Sequence, residues 1–281
     1  MIAEVIERHY SFEGEMLKYR HQSEVLACEM TFSLYLPTLV TKKDYSLIWW
    51  LSGLTCTDDN FTQKSGFQKY AAAHEVAVII PDTSPRGIEI PDSPDWDLGQ
   101  GASFYVNATE EPWQKNYQMY SYLTEELPKI VSDLIPNLSG NESIMGHSMG
   151  GHGALMVGLK NPTRFSAISA FAPILSPSQV PWGQKAFTHY LGKDKSSWEQ
   201  WDATNLITKP FQHKLPILIT QGSEDNFYEN QLQEYSFLAT AKENKQNINY
   251  QKVVGYDHSY FTIASFMEEH FKFHVTNMEN Q

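Results

Sequence analysis

The run Gly146-His147-Ser148-Met149-Gly150-Gly151-His152-Gly153 carries the strongest chemical signal in this chain. Its Gly-x-Ser-x-Gly pattern lies between a short apolar stretch, Ser143-Ile144-Met145, and a helical one from Gly150 to Asn161 that Pro162 stops. A serine on so tight a strand-to-helix turn takes up a strained backbone, and the flanking glycines leave room for the adjoining strand and helix. Such a turn lifts the Ser148 hydroxyl to the carboxyl edge of a sheet and aims a helix N-terminus at it. A phosphate-binding loop is the competing use of these glycines. It is disfavoured, because the stretch contains neither Gly-x-x-x-x-Gly-Lys-[Ser/Thr] nor Gly-x-Gly-x-x-Gly.

A serine hydroxyl is a weak nucleophile until a base accepts its proton, and the base needs an acid to orient it. On a strand–turn–helix scaffold the order along the chain is serine, acid, histidine. Downstream of Ser148, Ile217-Leu218-Ile219 runs into the acidic turn Ser223-Glu224-Asp225. Spacing alone leaves Glu224 and Asp225 both open as the acid. His258 follows a strand near Val253-Val254 and is the histidine at a strand end beyond that turn. Asp257 reads as a solvated or turn-capping carboxylate, and His270 and His274 fall inside the last helix. His147 and His152 flank the serine, but their spacing of five makes a poor metal site. A histidine base would lose its function as it protonates, around ~6.5 for an ordinary imidazole.

The negative charge of an acyl-transfer intermediate needs two N–H donors. The residue after the nucleophile supplies one, here Met149. The turn Ser52-Gly53-Leu54-Thr55, directly after the apolar run Leu47 to Leu51, would supply the other through Leu54. Gly53 lets the backbone come close to a substrate.

These residues need a scaffold that brings strand ends together. The first 36 residues alternate as antiparallel strands do, most clearly from Met30 to Leu36. Leu47–Leu51, Val76–Ile80 and Ile217–Ile219 are continuous apolar runs, suited to strands buried on both faces. Helical spacing joins Tyr117, Tyr120, Leu123, Leu127, Ile130, Val131 and Leu134 in a core-facing stripe. Further helices are expected over Gln231 to Glu243 and His258 to Val275. Asp82 to Gly101, with four prolines at or near it, reads as a long irregular loop, and such loops are often functional. The expected architecture is an α/β-hydrolase fold: a mostly parallel central sheet with helices on both faces and an antiparallel N-terminal part. No linker or repeat divides the chain, so a single domain over 1–281 is expected.

Composition narrows the partners. Lys+Arg 21 against Asp+Glu 33 gives a formal charge of −12, which argues against broad nucleic-acid binding. No apolar run approaches the ~20 residues of a membrane-spanning helix. Charge begins at Glu4, without an apolar stretch ending in a cleavage site, and Cys28 and Cys56 cannot form a disulfide framework. A cytoplasmic protein acting on a small molecule is the expectation.

With these residues assembled, the chain closely resembles the S-formylglutathione hydrolase (esterase D) family of serine hydrolases over roughly residues 5 to 275. The specific marks are Ser52 to Phe61, Phe104-Tyr105-Val106, Tyr120-Ser121-Tyr122, Gly146 to Leu155, Pro181 to Phe187 and Gly255 to Tyr260. The resemblance implies a triad of Ser148, Asp225 and His258, preferring Asp225 to Glu224, and an oxyanion hole of Leu54 and Met149. It implies hydrolysis of S-formylglutathione to glutathione and formate with no cofactor or metal, and the family commonly forms homodimers. For so small an acyl group a tight pocket walled by Trp182 is expected, with Cys56 beside it as a thiol-sensitive position. The two carboxylates of glutathione call for a local cation, for which Lys64, Arg86 and above all Lys185 are candidates. The departures cluster in the loop from Ile88 to Asn107. Where the family usually reads Trp-Asp-Phe-Gly-x-Gly-Ala-Gly-Phe-Tyr-Val-Asp, this chain has Leu98, Ser103 and Asn107 in place of Phe, Gly and Asp. A broader carboxylesterase or acyltransferase on the same scaffold is the enzymatic alternative. A non-catalytic binding protein is disfavoured by the intact triad.

Overall fold

The computed structural model describes residues 3–37, 44–209 and 214–279; Met1 and Ile2 of the N-terminal stretch lie outside them. Among the described residues nine strands form one sheet, ordered β1-β2-β3-β5-β4-β6-β7-β8-β9. The strands are β1 (Glu4–Ser11), β2 (Gly14–Ser23), β3 (Cys28–Leu36), β4 (Tyr45–Leu51), β5 (Ala77–Pro81), β6 (Leu138–His147), β7 (Phe165–Phe171), β8 (Ile217–Gly222) and β9 (Ile248–Val253). β1, β2, β3 and β5 pair antiparallel in succession, whereas β5-β4-β6-β7-β8-β9 pair parallel throughout. This is the expected α/β-hydrolase architecture with its antiparallel N-terminal part.

The helices are α1 (Asp58–Lys64), α2 (Gln68–His74), α3 (Met119–Ser121), α4 (Leu127–Leu134), α5 (Met149–Lys160), α6 (Pro181–Leu191), α7 (Ala203–Ile207), α8 (Tyr235–Glu243) and α9 (Tyr260–Glu279). Alternation along β4 sends its side chains to opposite faces. Leu47, Trp49 and Leu51 join the core that holds α5. Ile48 and Trp50 join the one that holds Phe61 and Phe67 near α1 and α2, and Met267 and Phe271 of α9.

The order of strands creates the site. From β4 the chain moves outward to β5, then returns to β6 on the other side of β4 and continues to β7. Connections thus leave β4 and β6 in opposite directions, which opens a crevice at their carboxyl ends. Leu51 pairs in register with Gly146, so the turn after β4 meets the turn after β6.

Three elements differ from the sequence expectations. The helix expected across Tyr117 to Leu134 begins at Met119 and widens into a π turn at Tyr122–Glu126, where the Leu127 N–H reaches Tyr122 O. Pro128 lies just beyond and has no N–H to offer Thr124, so regular pairing is interrupted there. The helix expected from Gln231 starts only at Tyr235, after a second π turn at Tyr228–Leu232. β7 was not legible as a strand, because Ser166 and Ser169 interrupt its apolar run. It is nevertheless buried along its whole length between helices on both faces.

Candidate active site

Ser148 stands at the start of α5 with φ 58° and ψ −118°, a conformation a serine keeps only where its surroundings enforce it. Sterics supply the enforcement. A Cβ on Gly150 would lie 2.0 Å from the Leu51 carbonyl oxygen, and one on Gly146 2.2 Å from that of Gly150. The Ser148 N–H donates to Phe171 O at 2.9 Å, and its carbonyl accepts from His152 and Ile174, so the turn is tied to β7 as well as α5.

The turn after β4 lies against this elbow. A Cβ on Gly53 would approach Ser148 Cβ and His147 Nδ1 to 3.2 Å. Its position is held from behind. Cys56 O accepts from the Thr83 hydroxyl (2.5 Å) and Arg86 Nη2 (2.9 Å), Thr55 N–H donates to Gly101 O (2.9 Å), and Tyr105 OH donates to Ser52 O (2.8 Å). Among the described residues neither the Leu54 nor the Met149 N–H has a hydrogen-bond acceptor. For Met149 this follows from its place in the first helical turn, where backbone donors lack intrahelical partners.

The Asp225 side chain is fully buried, and each of its oxygens is engaged. Oδ2 accepts from His258 Nδ1 at 2.6 Å and from Gln221 Nε2 at 3.0 Å, and Oδ1 accepts from the Phe227 N–H at 2.9 Å. Glu224 is exposed and bonds the Ser223 hydroxyl instead. The carboxylate that meets His258 is therefore Asp225, and it fixes the imidazole with Nδ1 protonated and Nε2 unoccupied. Asp257 caps the turn before α9, as expected, accepting from the Ser259 N–H and the Ser259 and Thr262 hydroxyls.

Ser148 and His258 line one cavity of about 180 Å³ together with Leu54, Cys56 and Trp182. Between Ser148 Oγ and His258 there is no hydrogen bond in this arrangement; such bonds commonly tighten only around a substrate. Three further residues stand at the wall without an expected place there: Phe227, Trp96 and His147, the last weighed from sequence only as a metal ligand. Phe227, two residues after Asp225, packs edge-on against His258 at 5.0 Å and against Trp182 at 4.8 Å. Trp96 reaches in from the long loop and meets Trp182 at 5.4 Å. His147 lies 4.5 Å from the His258 ring, and burial holds it well below the usual histidine range. Alternation along β6 could have flagged His147; nothing local could have placed Trp96.

The candidate cations are not at the wall. Lys185 is paired with Asp95 (2.9 Å) and Asp97 (2.5 Å), and Arg86 with Asp82 (2.9 Å). Lys64 is exposed over the Tyr260 ring at 5.8 Å, near enough for its charge to act on Cys56. Cys56 is at the wall, but burial pushes its thiol up, away from the reactive thiolate.

Sheet order, elbow and the buried acid–histidine pair in the cavity of Ser148 together define a serine hydrolase of the α/β-hydrolase class. The chain belongs to the esterase family: the family model described as "Putative esterase" matches residues 23–278. It is similar to a solved S-formylglutathione hydrolase from Agrobacterium tumefaciens, at 41% identity over 98% of this chain and 99% of that one, with a TM-score of 0.95. An S-formylglutathione hydrolase from Staphylococcus aureus matches at 17% identity over 93% of this chain and 99% of that one, with a TM-score of 0.72. A ferulic acid esterase from Anaeromyces mucronatus matches at 17% over 97% and 93%, with a TM-score of 0.65. These last two share the fold. No helix among the described residues is long and apolar enough to cross a membrane.

Proposed function

We propose that this enzyme hydrolyses S-formylglutathione to glutathione and formate through a formyl-serine intermediate, with Ser148, Asp225 and His258 as its triad. Ser148 Oγ attacks the formyl carbon while His258 Nε2 takes the hydroxyl proton. The N–H groups of Leu54 and Met149 hold the oxyanion. Collapse breaks the C–S bond, and the proton on His258 passes to the leaving thiolate. Water then attacks the formyl ester with His258 again as base, releasing formate and restoring Ser148. Asp225 stabilises the imidazolium formed in each half-reaction. A thiol of ordinary pKa ~8.5 leaves easily, so the acid step is undemanding.

The observation that carries this reading is the His258 ring, fixed through Nδ1 by buried Asp225, in the same small cavity as the strained Ser148. The 41% identity to an S-formylglutathione hydrolase supports the substrate, and so does the narrow aromatic wall of Trp182 and Phe227. The test compares rates on S-formylglutathione, S-lactoylglutathione and p-nitrophenyl acetate, in wild type and Ser148→Ala. Formyl preference of several decades, abolished with Ser148, is the expected result; equal rates on all three would sink it. The resemblance also supports a cytoplasmic homodimer serving formaldehyde catabolism. Cell fractionation and sedimentation check the first two.

One observation favours a broader carboxylesterase as the second reading. Among the described residues no Lys or Arg lines the cavity. In the glutathione reading Lys64 is the remaining nearby cation, since it forms no ion pair with any described residue. Lys64→Ala should raise KM for the glutathione thioester severalfold and leave p-nitrophenyl acetate untouched. An unchanged KM favours the broader esterase.

A further inference from the structure

Lys185 has no place at the cavity wall, yet it makes two ion pairs to the same short segment. Its Nζ lies 2.9 Å from Asp95 Oδ2 and 2.5 Å from Asp97 Oδ1. Those carboxylates flank Trp96, which lines the cavity with Ser148 and His258. The lysine also shares α6 with Trp182, three residues earlier and so on the same helix face. Trp182 is the ring against which Trp96 stands edge-on, at 5.4 Å and 85°.

Trp182 is 8% exposed and Trp96 55%, so the first is a buried wall and the second a roof with one side in solvent. On its C-terminal side the loop is pinned by the Tyr190 hydroxyl of α6, which accepts from the Gly99 N–H and donates to Ala102 O, each at 2.9 Å. Among the described residues no hydrogen bond holds Trp96 itself. The ring stands on Trp182, and its segment is held by the Lys185 pairs to the two carboxylates beside it, by the Asp95 N–H donating to the Ser93 hydroxyl and by the Leu98 N–H donating to Asp95 O.

We propose that Trp96 is a specificity-determining residue that limits the size of the acyl group. Lys185 is then a positioning residue, clamping Trp96 over the pocket through Asp95 and Asp97. The clamp gives Lys185 a role independent of any carboxylate on the substrate. Trp96 held down closes the pocket to bulkier acyl chains, and Trp96 released opens it. The inference rests on the Ser148 esterase reading and deepens it.

The test measures kcat/KM for p-nitrophenyl acetate and p-nitrophenyl butyrate, neutral esters without a carboxylate for Lys185 to bind. Trp96→Ala and Lys185→Met should each raise the butyrate-to-acetate ratio about tenfold, the scale of one or two methylenes in an apolar pocket. Lys185→Arg should keep the wild-type ratio. If Lys185→Met does not fold, as judged by thermal melting, Asp95→Asn/Asp97→Asn carries the same expectation. A ratio within twofold of wild type in Trp96→Ala, or in the folded clamp variant, overturns the proposal. Retention of p-nitrophenyl acetate hydrolysis by Ser148→Ala would instead overturn the esterase reading, so the two failures are distinguishable.

Discussion

Two histidine sites at one sheet have opposite fates. His258 sits at the strand ends with a carboxylate on Nδ1 and a side chain still 16% exposed. His270 and His274, on the α9 that follows, are wholly buried against β7 and β8. Their partners are hydroxyls. Thr220 lies 3.0 Å from His270 Nε2, and Ser169 lies 2.8 Å from His270 Nδ1 and 2.7 Å from His274 Nε2. Phe171 stacks on His270 at 3.7 Å. A carboxylate stabilises an imidazolium, whereas hydroxyls in a dry site satisfy only a neutral ring. Burial accordingly pushes His274 down to about 3 and His270 well below the ordinary histidine value. In the proposed mechanism the same side chain is a proton carrier in one place, and in the other it is a strut.

The largest expected effect breaks the reactive side of this comparison. Asp225→Asn offers Nδ1 the wrong partner, and kcat should fall about 10³–10⁴-fold, as for other orienting acids of such triads. Steady-state kinetics on an activated ester check it, and a loss under tenfold would remove Asp225 from the mechanism. The counterpart on the buried side is Ser169→Ala. It strands ring nitrogens of both His270 and His274, and should cost about 1–3 kcal/mol in urea unfolding with kcat within twofold of wild type.

A third prediction concerns pH. In the folded state His274 stays neutral down to about 3, and burial likewise holds His152 down to about 4 and His147 and His270 well below the ordinary range. The unfolded chain binds these protons once pH falls below ~6.5. The unfolded state thus holds more protons in this window. The stability contribution is complete above ~6.5 and is lost progressively toward the folded values. His274→Gln should reduce the slope of unfolding free energy against pH by about one proton, or ~1.4 kcal/mol per pH unit. Urea melts at pH 5, 6 and 7 read this directly. The smallest effect is at Cys56. Because burial raises its thiol, iodoacetamide should alkylate it severalfold more slowly than free cysteine at pH 7.5, as followed by mass spectrometry.

Legibility from sequence follows the range of the interactions involved. The elbow was readable because Gly146 and Gly150 answer a steric problem within a few residues of Ser148. His258 was readable from its order along the chain and its place at a strand end. The choice between Glu224 and Asp225 was not a matter of spacing, since adjacent residues occupy nearly the same position in the order. It depended on which side chain turned inward to meet Gln221, the Phe227 N–H and His258. β7 escaped in part because its Ser169 serves both His270 and His274 of another element, a demand invisible in its own pattern.

By itself the sequence determined the local devices: the strained serine turn, the parallel strands, the helix stripes and the order of the reactive groups. The first three follow from sterics and periodicity within one segment, and the last from the succession of strand ends along the chain. Only the tertiary structure showed how Asp225 is buried and held against His258, that Trp96 and Phe227 complete the wall, and that Lys185 is bound to Asp95 and Asp97. Each of those depends on contacts between segments distant in the chain. Their strength comes from burial and mutual geometry, which exist only once the sheet has brought the segments together.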